Sequence, residues 1–273
     1  MKELRGRNAI VTGASAGLGV RVARALAREG MNVVLAARTA DALEQVAVEL
    51  RGLGVKAIAV PTDVSDEDQL KRLVERAMGE FGSIDVLVNN AGIEAFRKFH
   101  ELDPAEIRKT IDVNLTATLL LTRYVLPHMV AAGRGHIVNM ASTAGKHGPA
   151  YGAVYGASKA GQIAFTQALR GEYHGTGISA SAICPGFASD GGIYEVIKQK
   201  VGRGTPWWIG STTAEAVARA VVKSIRRDRP ELIVNHPALR PVFAINAACP
   251  RLGEWIVRLT TRRFLKQVGQ VRE

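Results

Sequence analysis

Tyr155 and Lys159 lie four residues apart in a stretch with helical character, and this spacing places both side chains on one helix face. A phenol titrates near pH ~10, and an adjacent fixed positive charge favours phenolate and lowers that pKa. A general acid works best when its pKa lies near the working pH. Ser142 stands upstream and adds a hydroxyl. The three residues predict an acid–base site, although a lone tyrosine–lysine pair is most often a surface pair.

A glycine-rich turn at residues 12–19 follows a short apolar run and precedes a segment with helical apolar spacing. This is the context that a dinucleotide site needs, because glycines let the backbone approach a pyrophosphate and the helix offers free N–H groups. The spacing is Gly-x3-Gly-x-Gly rather than the common Gly-x-Gly-x-x-Gly. A tight strand–helix connection without a ligand is the alternative.

Length and composition favour one large α/β domain. The chain has 273 residues, of which 47% are hydrophobic, so it can bury a sizeable core. Its two cysteines, Cys184 and Cys249, provide neither a disulfide framework nor a metal cluster, so we expect no metal and a reducing cytoplasm. The first residues lead directly into a strand without a signal peptide, and we expect no membrane-spanning run.

The net charge of +11 is high, and residues 236–273 contribute +5 of it through seven Lys/Arg and two Glu. Nucleic acid or an anionic membrane would be attracted by such a charge. No helix-turn-helix, zinc finger or aromatic RNA-binding signature accompanies it, which argues against a nucleic-acid partner. A general surface bias with a basic tail is the simpler interpretation.

Strand-like and helix-like segments alternate along the chain, which predicts a doubly wound parallel sheet with helices on both faces. We expect strands at residues 8–11, 31–37, 56–60, 84–88, 135–140, 178–183 and 231–234. We expect helices at residues 20–29, 40–50, 66–81, 104–132, 153–173 and 213–226. Ser65 is the expected cap of the third helix, and a bend is expected near Asp112.

Polar and small residues follow several of these strands. Gly13, Asp63, Asn89, Ser142 and Pro185 all stand just past the carboxyl end of a predicted strand. Ligands of open α/β sheets bind at that edge. Ordinary turn chemistry explains each residue singly but not why all of them meet at one edge.

Taken in order, these residues resemble the short-chain dehydrogenase/reductase family over about residues 8–234. The resemblance is carried by Thr12-Gly13 with Gly17 and Gly19, Asp63, Asn89-Asn90-Ala91-Gly92, Asn114, Ser142, Tyr155 with Lys159, and Pro185-Gly186. It implies a single Rossmann-like NAD(P)-binding catalytic domain over residues 1–235. It also implies an oxidoreductase that transfers a hydride between the cofactor and a small-molecule carbonyl or secondary alcohol, assembled as a homodimer or homotetramer.

The resemblance also assigns roles to four residues. Tyr155 is the general acid or base, and Lys159 lowers its pKa and binds the nicotinamide ribose. Ser142 donates a hydrogen bond to the substrate oxygen, and Asn114 holds a water that links Lys159 to solvent. A satisfied helix asparagine is the alternative for Asn114. A catalytically silent NADP-binding scaffold or sensor is the alternative for the whole chain, although such a protein could have lost Tyr155, Lys159 or Ser142.

The end of the second strand determines the expected cofactor. An acidic residue there would bind the ribose 2′-hydroxyl of NAD, but this chain has Ala36-Ala37-Arg38-Thr39. Arg38 can pair with a 2′-phosphate, so we expect NADP(H) to be preferred over NAD(H). The full set of expected cofactor-binding residues is Gly13, Ser15, Gly17, Leu18, Gly19, Arg38, Asp63, Val64, Asn89, Ala91, Gly92, Tyr155, Lys159, Pro185, Gly186 and Ala188.

The run after Pro185-Gly186 departs from the family. Members usually carry a threonine there that contacts the cofactor, whereas this chain has Phe187-Ala188-Ser189-Asp190. Ser189 offers a hydroxyl one place away, and Asp190 in the threonine register would lie awkwardly near phosphates.

Residues 187–212 are the expected substrate lid, because glycines alternate there with large apolar side chains. The expected pocket suits a lipophilic substrate, with steroid, acyl chain, retinoid and polyketide all open. The two tryptophans could equally be core or subunit contacts, and His147 is a loop histidine rather than a catalytic one. The expected pocket residues are Ile93, Phe96, His147, Tyr151, Phe187, Tyr194, Trp207 and Trp208.

Residues 236–273 form a basic C-terminal extension outside the resemblance. Leu252, Trp255, Ile256 and Leu259 have helical spacing among basic residues. Such a helix can lie on a membrane surface through residues 250–268, pack over the pocket, or contact a partner subunit. We therefore expect a cytoplasmic protein, with peripheral membrane contact as one alternative.

Overall fold

A computed structural model describes residues 1–94, 96–190, 205–206 and 208–268 of the chain. Tyr194 and Trp207, together with most of the expected lid, lie outside the described residues.

Seven parallel strands form one sheet in the order β3-β2-β1-β4-β5-β6-β7. This confirms the doubly wound architecture, because the order reverses between β1 and β4. The strands are β1 (Asn8–Thr12), β2 (Asn32–Ala37), β3 (Ala57–Pro61), β4 (Val86–Asn89), β5 (Gly135–Met140), β6 (Ile178–Pro185) and β7 (Glu231–Val234).

Helices connect the strands and cover the sheet. They are α1 (Gly17–Arg28), α2 (Ala40–Arg51), α3 (Glu67–Phe81), α4 (Pro104–Ile111), α5 (Ala117–Ala132), α6 (Ala153–Glu172), α7 (Ala214–Arg227), α8 (Arg240–Ala248) and α9 (Pro250–Val268).

The apolar side chains of β1 enter two separate cores, because successive strand residues point to opposite faces. Val11 packs in the core on the side of α1, α2 and α7. Ile10 packs on the side of α3 and α5. Both faces of the central strands are therefore buried, which explains their nearly continuous apolar sequence.

The cap of α3 differs from the expectation by one residue. Asp66 is the N-cap, and its Oδ1 accepts a hydrogen bond from the backbone N–H of Gln69 at 3.1 Å. Ser65 instead donates its hydroxyl and its backbone N–H to Oδ1 of Asp63. Both residue types are good caps, so composition alone could not choose between them.

The predicted bend at Asp112 coincides with a π-helical turn, Asp112–Thr116, between α4 and α5. The turn carries Asn114, which is fully buried. The whole run Pro104–Ala132 is long and apolar enough to cross a membrane by length and composition. Leu121, Val125 and Met129 pack against the sheet, so this run is a core helix of the domain.

The C-terminal extension forms α8 and α9, which cross where Gly253 meets Asn246. A Cβ on Gly253 would lie 2.3 Å from the Cα of Asn246, so only glycine permits this close approach. Phe264 and Leu265 of α9 are buried in a small apolar cluster with Ile209. The extension therefore folds back onto the domain.

Candidate active site

One large cavity, of about 1080 Å³, opens at the carboxyl ends of the strands. It exceeds the ~300–1000 Å³ that is common for small-molecule sites, so it has room for a dinucleotide and a second molecule. It brings together most of the predicted residues, namely Gly13, Gly17, Leu18, Gly19, Arg38, Ala91, Gly92, Phe96, Ser142, His147, Tyr155, Lys159, Pro185, Gly186, Phe187, Ala188 and Trp208.

The glycine turn shapes one end of this cavity. Gly13 and Gly17 have φ values of +64° and +54°, which favour glycine. A Cβ on Gly19 would lie 2.1 Å from the carbonyl oxygen of Gly13, so a side chain there would open the turn. The N-cap of α1, Ala16, makes no side-chain cap and the first turn carries no acid. The helix N-terminus therefore faces the cavity with the donors that suit a pyrophosphate.

Three arginines line the cavity beside this turn, namely Arg21, Arg24 and Arg38. Arg24 is held by Glu49 through two hydrogen bonds of 2.6 Å. Hydrogen bonds from Ser65, assisted by the charge of Arg38, lower the pKa of Asp63. This end of the cavity is electropositive and suits an anionic group.

The loop after β5 and the first turns of α6 hold Ser142, Tyr155 and Lys159. Oγ of Ser142 caps a short 3-10 turn by accepting from the backbone N–H of Ala144 at 3.1 Å. A hydrogen bond with Ser142 also acts on the Tyr155 hydroxyl. The Phe96 ring lies 5.8 Å from the Tyr155 ring, measured between centroids. A hydroxyl, a phenol and an ammonium thus converge on one wall of the cavity.

The expected low pKa of Tyr155 is not found. Desolvation raises the pKa of Tyr155 to about 12, the hydrogen bond with Ser142 acts in the lowering direction, and the nearby Glu94 raises it. Burial also lowers the pKa of Lys159 to about 8. Burial is the largest cause of both shifts, and it moves each group toward its uncharged form.

Lys159 is held by two neutral oxygens. Its Nζ donates to the carbonyl of Met140 at 2.7 Å and to Oε1 of Gln162 at 3.0 Å. Nε2 of Gln162 donates onward to the backbone carbonyl of Asn114 at 2.7 Å. One buried side-chain amide therefore joins the lysine to the π-helical turn, and sequence reasoning did not identify it.

The hydrogen-bonding groups of Asn114 are already engaged by protein atoms. Oδ1 accepts from Ile93 N–H at 2.8 Å, and Nδ2 donates to the Ile93 carbonyl and to Ser158. Its own carbonyl accepts from Gln162 and Thr118. Gln162 thus bridges Lys159 and the carbonyl of Asn114, and the water-holding role of Asn114 stays a prediction.

Several expected ligand contacts are not placed at the cavity. The side chain of Asn89 is buried and donates to Thr122 and Asn139, whereas Asn90 lines the cavity and donates to the carbonyl of Thr12. The other predicted residues that the structure keeps out of the cavity lining are Ser15, Asp63, Val64, Ile93, Asn114 and Tyr151. Val64 packs in the core, and Tyr151 packs in the small apolar cluster beside the cavity.

Asp190 lines the cavity, and its side chain also accepts a hydrogen bond from the start of a helix. Oδ1 of Asp190 accepts from the backbone N–H of Ala214 at 2.6 Å, at the start of α7. Ser189 donates its hydroxyl to the carbonyl of Thr212 at 3.1 Å. Both side chains are therefore engaged by the segment that leads into α7.

The apolar end of the cavity is built largely by the C-terminal extension. The sequence alone allowed the extension to lie on a membrane, over the pocket or against a partner subunit. Phe264 packs edge-on against Phe187, with ring centroids 5.2 Å apart. The lining residues from the extension are Leu239, Val242, Phe243, Ile256, Val257, Thr260, Thr261, Phe264 and Leu265. On α9, Ile256, Val257, Thr260 and Phe264 recur at helical spacing, and this pattern could have identified the face that lines the cavity.

Comparison with known families agrees with this geometry. A family model described as short chain dehydrogenase matches residues 7–199. The chain belongs to the short-chain dehydrogenase/reductase family. It is therefore an oxidoreductase with a nicotinamide-cofactor fold. Within the part of the chain that the structure describes, no group of three His, Cys, Asp or Glu side chains could hold a metal ion.

Several members of the family are similar to this chain in sequence or in structure. The ketoacyl reductase HetN of Nostoc sp. is 46% identical over 235 residues, covering 86% of this chain and 80% of that protein. A family member from Burkholderia phymatum, solved with NAD, superposes with a TM-score of 0.82 at 28% identity, covering 92% and 96% of the two chains. A variant of actinorhodin polyketide ketoreductase, solved with NADPH, gives 0.75 at 33% identity, covering 86% and 97%.

Proposed function

We propose that this protein reduces the carbonyl group of an apolar substrate, with NADPH as the hydride donor and Tyr155 as the general acid. The observation that supports this most directly is that Ser142, Tyr155 and Lys159 line the same cavity as the glycine turn. When bound, the cofactor supplies the hydride. The protein supplies binding, orientation and a proton.

Tyr155 holds the proton that a general acid must donate. With a pKa raised to about 12, the phenol keeps its proton at neutral pH and can donate it to a developing alkoxide. Ser142 offers a second hydrogen bond to that oxygen. Lys159, once its ammonium contacts a bound ribose and the ring hydroxyl, would lower the phenol pKa toward the working range.

NADP(H) is the proposed cofactor. Arg38 follows β2 where an acidic residue would favour NAD, and Arg21 adds positive charge at the same end of the cavity. A 2′-phosphate gains charge-assisted hydrogen bonds from such a cluster. Solved relatives include complexes with NAD and with NADPH, so this chain's own residues carry the proposal.

An apolar substrate fits the other end. Phe96 lies beside the Tyr155 ring, and it packs in one apolar cluster with Phe187 and with Phe264 of α9. A 3-ketoacyl chain is the proposed substrate class, in line with the ketoacyl reductase that this chain resembles. Its carbonyl would meet Ser142 and Tyr155 while its alkyl part contacts the aromatic wall.

The test is turnover of NADPH, followed by its absorbance, against ketoacyl thioesters of increasing chain length and against polar ketones. Tyr155→Phe should lower kcat by about a hundred- to ten-thousand-fold while NADPH binding is retained. Tyr173→Phe is a matched control, because Tyr173 caps the other end of α6. NADPH binding without turnover of any carbonyl would favour a silent scaffold instead.

The homodimer or homotetramer stays a prediction. Ala157 and Ala160 are exposed on α6 and available to a partner. Gly156 and Gly161 instead pack against their own chain, at the loop after β5 and at Leu115.

A further inference from the structure

The outer face of the extension exposes large apolar side chains beside basic ones. Ile245 on α8, Leu252, Trp255 and Leu259 on α9, and the adjacent Trp208 are between 38% and 70% exposed. Leu252, Trp255 and Leu259 follow i, i+3, i+7 spacing and form one stripe along α9. Trp208 is joined to the same helix, because its Nε1 donates to the carbonyl of Thr260 at 3.1 Å.

Basic side chains flank this stripe. Arg251 and Arg258 are exposed one turn apart from Trp255, and Lys266 is exposed beyond Leu259. Glu254 is the acidic residue of α9. Aromatic and aliphatic side chains beside arginine and lysine match an anionic lipid headgroup layer, where the rings insert and the cations pair with phosphates.

We propose that α8 and α9 dock this protein onto an anionic lipid surface through Trp208, Ile245, Leu252, Trp255 and Leu259. The opposite face of α9 supports this choice of partner, because Ile256, Val257 and Phe264 line the apolar cavity. One helix thus separates the cavity from the proposed lipid surface.

Vesicle flotation tests the proposal with the full chain. We expect flotation with phosphatidylcholine–phosphatidylglycerol vesicles, weaker flotation as salt rises, and little with phosphatidylcholine alone. Trp255→Glu with Leu259→Glu should abolish it and leave turnover of a water-soluble ketone unchanged. Arg251→Gln and Arg258→Gln should each lower partitioning about fivefold. Val48→Glu is the matched control, since Val48 is 58% exposed on α2, and it should float like the unaltered protein.

Two outcomes would overturn this inference. One is that the unaltered chain stays unbound at low salt with the anionic vesicles. The other is that the Trp255→Glu, Leu259→Glu protein floats normally. If vesicles do not bind and the same variant lowers the mass seen by light scattering, the face is a contact between copies of this chain.

A second, independent observation concerns Gln162. Its side chain is fully buried on α6, accepts from Nζ of Lys159 at 3.0 Å, and donates to Asn114 O at 2.7 Å and to Oγ1 of Thr118 at 2.9 Å. Every donor of the amide is used, so its orientation is fixed with the oxygen toward the lysine. A residue with this pattern cannot rotate away without leaving buried polar groups unpaired.

The geometry points to Gln162 as the residue that positions Lys159 for its part in proton transfer, a role that rests on the proposed function. The carbonyls of Met140 and Gln162 hold the ammonium where it lies 5.7 Å from the centre of the Tyr155 ring. The other titratable groups whose charge reaches this pair are Cys184 on β6 and Glu94 after β4.

Gln162→Leu removes the acceptor while keeping the bulk. Because hydrogen bonds to a charged group favour the charged form, the pKa of Lys159 should fall by about one unit or more. Lysine side-chain NMR of the cofactor-free protein would measure this, whether or not the protein proves to be a reductase. The alkaline limb of the kcat/KM profile should move down by a similar amount.

Ser224→Ala is the matched control, since Ser224 is fully buried on α7 and donates its hydroxyl to the carbonyl of Val221. It should leave both readouts unchanged. An unaltered Lys159 titration and pH profile in Gln162→Leu would overturn the inference and make Gln162 a packing residue. A shifted Lys159 titration without any carbonyl turnover would uphold the positioning and reject the proposed function.

Discussion

Nζ of Lys159 lies 5.7 Å from the centre of the Tyr155 ring, yet its hydrogen bonds go to the carbonyl of Met140 and to Gln162. Both acceptors are neutral, so no carboxylate offsets the cost of burying the ammonium. The phenol and the ammonium are held close together in a desolvated pocket. Desolvation raises the pKa of Tyr155 and lowers the pKa of Lys159, so each shift favours the uncharged form. A bound anionic or hydroxyl-rich ligand would raise the pKa of Lys159 again.

Stability should depend on pH through Lys159. Its pKa is about 8 in the folded protein and 10.5 ordinarily, so between these values the unfolded chain binds a proton that the folded chain does not. The free energy of unfolding should therefore rise over pH 8 to 10.5, relative to Lys159→Met. Urea unfolding of both proteins at the two pH values measures this. Tyr155 and Cys184 titrate in both proteins, so a constant difference would contradict the prediction.

Arg38→Asp should reverse the cofactor preference. The substitution removes the cation at the end of β2 and places a carboxylate where it can bind a ribose 2′-hydroxyl and repel a 2′-phosphate. We expect the ratio of the dissociation constants for NADPH and NADH to move by at least about tenfold toward NADH. Equilibrium titration of each cofactor gives the ratio. An unchanged ratio would show that Arg38 does not select the cofactor.

Gly19→Ala should abolish dinucleotide binding with little loss of overall fold. The added methyl group would lie 2.1 Å from the carbonyl oxygen of Gly13, which forces the turn open. Gly79→Ala is the control, because a methyl group there meets nothing within 4 Å. Cofactor titration and circular dichroism separate the two effects. Tight NADPH binding by Gly19→Ala would contradict the assignment of this turn.

Phe264→Ala should impair long ketoacyl substrates more than short ones. The side chain is buried against Phe187, so its removal should cost about 3–5 kcal/mol of stability and open the apolar end of the cavity. We expect the ratio of KM in the variant to KM in the unaltered protein to increase with substrate chain length. For the shortest substrate this ratio should stay near one. Phe99→Ala, on an exposed turn, should change neither quantity. An equal effect on all chain lengths would place Phe264 outside the substrate path.

The doubly wound parallel sheet and the places of its seven strands along the chain follow from hydrophobic periodicity and glycine positions, because these patterns reflect burial directly. The order of the strands within the sheet is seen only in the structure. Adjacent residues of the same type are harder to assign. Asn89 is the last residue of β4 and is buried, whereas Asn90 follows the strand and lines the cavity. Ser65 and Asp66 are both good cap residues, and the structure places Asp66 at the cap. Local composition is the same for either choice.

Gln162 shows a different limit of sequence reasoning. Its spacing from Lys159 is visible, but its partner Asn114 lies 48 residues away on another helix. A polar residue on a helix is ordinarily solvent-facing, so burial of this amide follows only from the packing of α6 against the π-helical turn. The same holds for the extension, whose inward face is defined by contact with the domain.

The order of elements along the chain has a consequence for biosynthesis. The strands and turns that form the proposed coenzyme cleft are synthesised before α9, which contributes much of the hydrophobic wall of the cavity. A nascent or proteolytically clipped chain should therefore already hold a dinucleotide before it can select what is reduced.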